Sequence, residues 1–131
     1  MKKSAFVILI LIGFLSVTIN AQETIWLNKD LKETTKNNAL YYKLGEKTDG
    51  EVSYFYKNKS IFKKYFLVAG KAEGKYTEYY DSGELRVAGK YKNDVKDGNW
   101  KVYYKTGKIK KKGRYNEGDK VGIWKIFYKN D

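Results

Sequence analysis

A unit of 24 residues recurs along the second half of this 131-residue chain, with glycines and aromatic residues returning to the same places. Gly74, Gly98 and Gly122 stand at that interval, followed in register by Tyr76, Trp100 and Trp124, by Tyr79, Tyr103 and Phe127, and by Tyr80, Tyr104 and Tyr128. The rest of the unit keeps step through Gly83 and Gly107, Leu85 and Ile109, Gly89 and Gly113, and Tyr91 and Tyr115. So many shared columns at one short period mean a small supersecondary unit stacked on copies of itself. Such a pattern constrains architecture far more than chemistry.

Parity within the unit separates two faces, as a β-strand requires. Trp100, Val102 and Tyr104 point one way, as do Trp124, Ile126 and Tyr128, while Asn99, Lys101, Tyr103 and Lys105 make a mostly polar opposite side. Ser82-Gly83 and Thr106-Gly107 then supply a turn, and a second strand follows, so each repeat reads as a β-hairpin. A two-residue loop sets Tyr80 opposite Leu85, Tyr76 opposite Gly89, Tyr104 opposite Ile109 and Trp100 opposite Gly113. A large ring then faces a residue without a side chain, which explains a glycine in a strand it otherwise weakens. A bulged turn would shift this pairing by one.

Upstream the pattern fades. Gly50, Val52, Phe55, Tyr56, Ile61 and Leu67 fall in the columns of Gly74, Tyr76, Tyr79, Tyr80, Leu85 and Tyr91, so residues 50–73 read as a degenerate copy. The repeat domain therefore covers 50–131, as a degenerate copy, full copies at 74–97 and 98–121, and a half repeat at 122–131. Residues 22–49 form a cap, with strands expected at 25–27 and 39–44 around a polar stretch, 28–38, that is a loop or a short helix. Lys125 and Lys129 on the last strand discourage another chain from adding to it.

Residues 1–21 stand apart. Lys2 and Lys3, an apolar run over 5–15 broken only by Gly13, and a more polar stretch ending in Ala21 have the layout of a secretory signal peptide. Ile19 sits where a small residue is preferred, which keeps an uncleaved anchor as the alternative. Residues 5–19, however, fall short of the ~20 that span a bilayer. Cleavage after Ala21 places the protein in the periplasm, at the outer-membrane surface or outside the cell. The remaining 110 residues suit one small domain, and loss of Lys2 and Lys3 lowers the formal charge from +12 to +10. Without cysteine there is no disulfide staple, so stability falls to the 13 Tyr and three Trp, all beyond residue 21.

An enzyme is hard to assemble from these residues. With no His and no Cys, the common proton shuttle, the thiol nucleophile and the usual zinc ligands are missing. Asp94 with Asp97, and Glu117 with Asp119, are read as turn residues rather than catalytic pairs or calcium ligands, because acidic side chains there bond their own backbone. Gly113, Gly118 and Gly122 lack the Walker spacing and its Lys-Ser/Thr end. Neither a catalytic residue, a cofactor nor a metal is expected.

The sharper candidate is a basic cluster of Lys101, Tyr103, Lys105, Lys108, Lys110, Lys112 and Arg114, with Lys111 beside it. In the hairpin register Lys101 faces Lys112, Lys105 faces Lys108 and Tyr103 faces Lys110, all on the polar side. Like charges directly opposite one another oppose pairing. An anionic partner relieves that repulsion: acidic lipid headgroups met peripherally, a cell-envelope polymer or an acidic protein. Nucleic acid is less available to an exported protein. The competing reading is a solvated face of a lysine-rich chain.

At these residues the chain resembles the MORN-repeat variant family, whose bacterial members are often labelled YwqK-family antitoxins. The shared pattern is Gly-x-Trp/Tyr-x-x-Tyr/Phe-Tyr, then x-x-Gly-x-Leu/Ile, then Gly-x-Tyr and a turn, met over 74–91 and 98–115 and by the half copy 122–128. The resemblance implies an all-β fold, an elongated single-layer antiparallel sheet of repeated hairpins used for interaction. It also implies association with membrane lipids or protein assemblies. Two functions follow as expectations: an exported non-catalytic module binding an envelope component or a protein partner, or an antitoxin or immunity-like protein neutralising a specific effector.

Overall fold

The computed structural model describes residues 21–129, so the proposed leader, residues 1–21, lies outside the described residues except for Ala21. Alternating side chains and tight turns produce nine strands: β1 (Thr24–Leu27), β2 (Tyr41–Leu44), β3 (Gly50–Tyr56), β4 (Ile61–Val68), β5 (Lys71–Tyr79), β6 (Leu85–Lys92), β7 (Val95–Tyr103), β8 (Ile109–Asn116) and β9 (Asp119–Ile126). They form one open antiparallel sheet in chain order, with no helix among the described residues. The fold is the all-β hairpin array the repeat predicts. Residues 28–38 are turns and a bridge between Leu27 and Glu33.

Two kinds of turn alternate. Inside a repeat the loop has three residues, because Tyr80 N–H donates to Glu84 O and Gly83 N–H donates to Tyr80 O, both at 2.9 Å, with Gly83 at φ 101°. Tyr104, Gly107 and Lys108 repeat this arrangement. The two-residue loop expected from sequence is therefore corrected near the turn: Leu85 lies opposite Tyr79 and Ile109 opposite Tyr103. One extra residue on each return strand restores the expected register beyond it, and Tyr76 faces Gly89 as Trp100 faces Gly113. The extra residues are Phe62, Arg86 and Lys110, themselves 24 apart. Between repeats the turns are Ala69-Gly70, Asn93-Asp94 and Glu117-Gly118, with positive φ at both residues, as a type I′ hairpin needs.

Hydrogen bonds at the same period tie repeats together along both margins. Gly70, Asp94 and Gly118 N–H donate to Thr48, Ala72 and Lys96 O at 2.7, 2.9 and 2.9 Å. On the other margin the hydroxyls of Tyr56, Tyr80 and Tyr104 donate to Tyr79, Tyr103 and Phe127 O at 2.7, 2.7 and 2.8 Å. Each hydroxyl thus finds a carbonyl one repeat onward.

The core lies on one face of the sheet and holds Val52, Phe62, Ala72, Tyr76 and Trp100. Trp100 is only 4% exposed, wedged edge-on against Tyr91 and Tyr115 at ring separations of 5.4 and 5.8 Å. Here a second expectation is corrected. The ring over Gly89 belongs to Trp100, not to Tyr76, and the ring over Gly113 belongs to Trp124, not to Trp100; a Cβ on either glycine would meet an indole carbon at 2.2 or 2.1 Å. The reason is the irregular pairing of β6 with β7 and of β8 with β9, where one glycine stands against three residues and the tryptophan folds back over it. Each glycine serves the joint to the next repeat rather than its own hairpin.

Candidate functional site

On the polar face the register lines up one position from each of seven strands. Ser53 pairs with Lys64, Lys64 with Thr77, Thr77 with Ala88, Ala88 with Lys101, Lys101 with Lys112, and Lys112 with Lys125. In the middle of this row the residues are neutral, and Thr77 is buried. At the β7–β9 end three lysines stand on three successive strands. Strands lie ~4.8 Å apart, so these ammonium stems crowd one another.

Arg114 pairs with Asn99 and with Val121, which extends the cation row by one position. None of Lys101, Lys112, Lys125 or Arg114 forms an ion pair among the described residues. A shallow groove of about 410 Å³ between β7, β8 and β9 is lined by all four. A second of about 550 Å³ adjoins it, sharing Lys101 and Arg114 and reaching Tyr103. Lys112 Nζ lies 5.6 Å from the Phe127 ring centroid, so an aromatic surface borders the charge.

The expected cluster is thus partly gathered. Lys101, Tyr103, Lys112 and Arg114 share the face, with Lys101 opposite Lys112 as read from sequence. Lys105 does not face Lys108, because the three-residue loop places it in the turn, where its Nζ lies 3.6 Å from Asp81 of the preceding hairpin. Lys108 sits at the loop end, its carbonyl accepting from Tyr104 N–H. Nor does Lys110 face Tyr103. As the extra residue of its strand it crosses to the aromatic side, 5.5 Å from the Tyr104 ring. Lys111 likewise lies over Trp124 at 5.2 Å. Lys125 is the member that sequence reasoning missed, although its column, with Thr77 and Lys101, was there to be read.

The aromatic face handles charge differently. Arg86, the residue equivalent to Lys110, is bound to Glu78 at 2.6 Å and rests over Phe62 and Tyr80. Burial works against its charge, but the hydrogen bond and field of Glu78 prevail and hold the guanidinium pKa above its usual value. The Tyr76 hydroxyl also donates to Glu78, and burial, then that bond, push its pKa up. Arg86 Nε alone of this network is buried without a hydrogen-bond partner.

The acidic residues are dispersed. Asp94 occupies a type I′ turn and accepts a 2.6 Å bond from Ala72 N–H, whereas Asp97 lies in β7, 3.9 Å from Lys90. Glu117 is in the last turn and Asp119 opens β9. No group of three or more His, Cys, Asp or Glu gathers as a metal would need among the described residues. What the lysine end of the row can do is hold an anion by charge, with aromatic surface alongside.

A family model, the MORN repeat variant, matches the chain twice, over residues 72–93 and 96–117. These spans cover the β5–β6 and β7–β8 hairpins from the second residue of each. No curated protein matches the chain.

Proposed function

This chain is a MORN-variant repeat protein, and on that premise we propose that it is an exported, non-catalytic binding module whose lysine row engages an anionic component of the cell envelope or an acidic protein. MORN repeats are in general associated with binding or scaffold roles. The observation that carries the proposal is the placement of Lys101, Lys112 and Lys125 directly opposite one another with no acidic residue among them. Thr77 and Ala88 fill the same row one repeat earlier, so the backbone does not require lysine there. A row of unneutralised cations opposes pairing when free, and that penalty disappears when an anion is bound.

The test uses residues the repeat itself supplies. A Lys101→Thr, Lys112→Ala, Lys125→Thr variant reproduces the neutral row of the preceding hairpin. Binding to vesicles containing acidic lipid, and to envelope polymer, is expected to fall at least tenfold, and wild-type binding to weaken steeply with salt, since exposed charges are screened beyond ~8 Å at physiological ionic strength. Lys29, Lys32 and Lys57 changed to Gln form the charge-matched control; Lys36 is left in place because its Nζ lies over Trp26. Equal losses in the two variants reduce the effect to overall charge and sink the proposal. Export is tested by the mature N-terminus: it is expected at Gln22, and intact Met1 in the cytoplasm contradicts it. The effector-neutralising alternative predicts instead capture of one stoichiometric protein encoded beside this one.

A further inference from the structure

The last strand departs from its own repeat. At the position held by Asp49, Glu73 and Asp97 in the earlier copies stands Val121, and at the position of Glu51, Lys75 and Asn99 stands Ile123. Ile123 is 84% exposed, and Val121 and Ile126 are exposed beside it. Two polar columns have turned apolar on one strand, and that strand is the one whose outer flank has no pairing partner among the described residues. Lys125 and Lys129 discourage an indiscriminate neighbour at this edge, but its apolar side chains invite a strand whose charge complements theirs.

The interior of the sheet specifies what such a strand looks like. On their outer flanks β5 and β7 each take a partner with an aromatic opposite the first glycine, a glycine opposite the large ring, and a leucine or isoleucine near the turn: Gly74 meets Tyr91, Tyr76 meets Gly89 and Tyr79 meets Leu85, then Gly98 meets Tyr115, Trp100 meets Gly113 and Tyr103 meets Ile109. Gly122, Trp124 and Phe127 offer the same three positions. Trp124 has Tyr115 on its inner side at 5.0 Å, but lacks the outer aromatic that Tyr115 provides for Trp100.

Charge selects the occupant. The row Lys101, Lys112, Lys125 runs straight to this edge, so the residue entering opposite Lys125 meets a third successive lysine. A second copy of the chain is a poor fit. Beyond Asp119 its β9 offers only Lys120 and Lys125, with Lys129 just after it, as charged residues and nothing acidic to set against Lys125, and its β1 is already engaged by Thr34 N–H on Trp26 O at 2.9 Å and by the Leu27–Glu33 bridge.

We propose that the outer edge of β9 is an acceptor for one extended strand of a partner protein, running antiparallel, with an aromatic opposite Gly122 and an acidic residue opposite Lys125. This site uses the outer edge of β9 and needs no envelope polymer, although Val121, Gly122, Ile123 and Lys125 also line the groove of the face described above.

The probe is a labelled peptide with the sequence of residues 84–93, whose pattern fits the acceptor, carrying Ala88→Glu at the position facing Lys125. It is expected to bind the mature protein at least tenfold more tightly than the Ala88→Lys peptide, and to protect β9 amides from hydrogen exchange. Methylating the backbone nitrogens that would face β9 abolishes binding. The Lys101→Thr, Lys112→Ala protein retains it, which separates failure here from failure of the face. Equal binding of the Glu and Lys peptides, binding without β9 protection, or a β9-mediated dimer in sedimentation overturns the proposal.

Discussion

β1 and β9 both border the same sheet, yet their outer flanks are built differently. Thr34 donates to Trp26 O, Glu33 bridges Leu27, and Leu27 is buried with Ala39. Along β9 the described residues supply no such cover, and Ile123, Ile126 and Tyr128 face outward. The divergence extends inward. Arg86 has Glu78 within 2.6 Å, but the equivalent Lys110 has Val102 where the glutamate would be. The Trp100 indole N–H reaches Lys90 O at 3.2 Å, whereas that of Trp124 makes no hydrogen bond. One backbone frame therefore carries a neutralised, packed interior and a cationic, uncovered end. In a stack where each unit touches only its neighbours, the frame needs the glycine and aromatic columns and leaves the others free to diverge.

The sharpest way to break this contrast is to remove its two tryptophans. Trp100→Ala is expected to destabilise by about 3–5 kcal/mol, as for a fully buried aromatic, and Trp124→Ala by well under half as much because one flank is open. The glycines come next: Gly89→Val costs about 3 kcal/mol, since Trp100 has neighbours on both sides, and Gly113→Val about 1 kcal/mol, since Trp124 can swing outward. Urea unfolding midpoints measure both pairs, and equal losses within a pair would erase the distinction between interior and end. Tyr80→Phe, which leaves Tyr103 O without its donor, is expected to cost about 1 kcal/mol, and Tyr104→Phe at its exposed site less. The smallest effect has the opposite sign. Lys112→Ala relieves two like-charge contacts and is expected to raise stability by a few tenths of a kcal/mol at low salt, with the gain fading as salt is added.

Much of this was legible in the columns. Parity gave the strands, and the pairing of Trp100 with Gly113 and of Lys101 with Lys112 follows from hairpin geometry alone. The turn was ambiguous because Ser-Gly and Thr-Gly suit either a two- or a three-residue loop, and only the backbone hydrogen bonds of Tyr80 and Gly83 decide. From that one choice came the misplacement of Lys105, Lys108 and Lys110. The owner of each ring over a glycine was illegible for a different reason. It depends on the irregular joint between hairpins, where Gly89 and Gly113 each oppose three residues, and strand parity carries no information about which flank a tryptophan leans toward.

Amide hydrogen exchange, read strand by strand on the mature protein without a partner, addresses the contrast between the two ends most directly. Amides of β5, β6 and β7 are expected to exchange only through global opening, those of β1 and β2 to be protected by the 28–34 segment, and the outward amides of β9 to exchange orders of magnitude faster. Protection of β9 equal to that of β7 would contradict an open, receptive end.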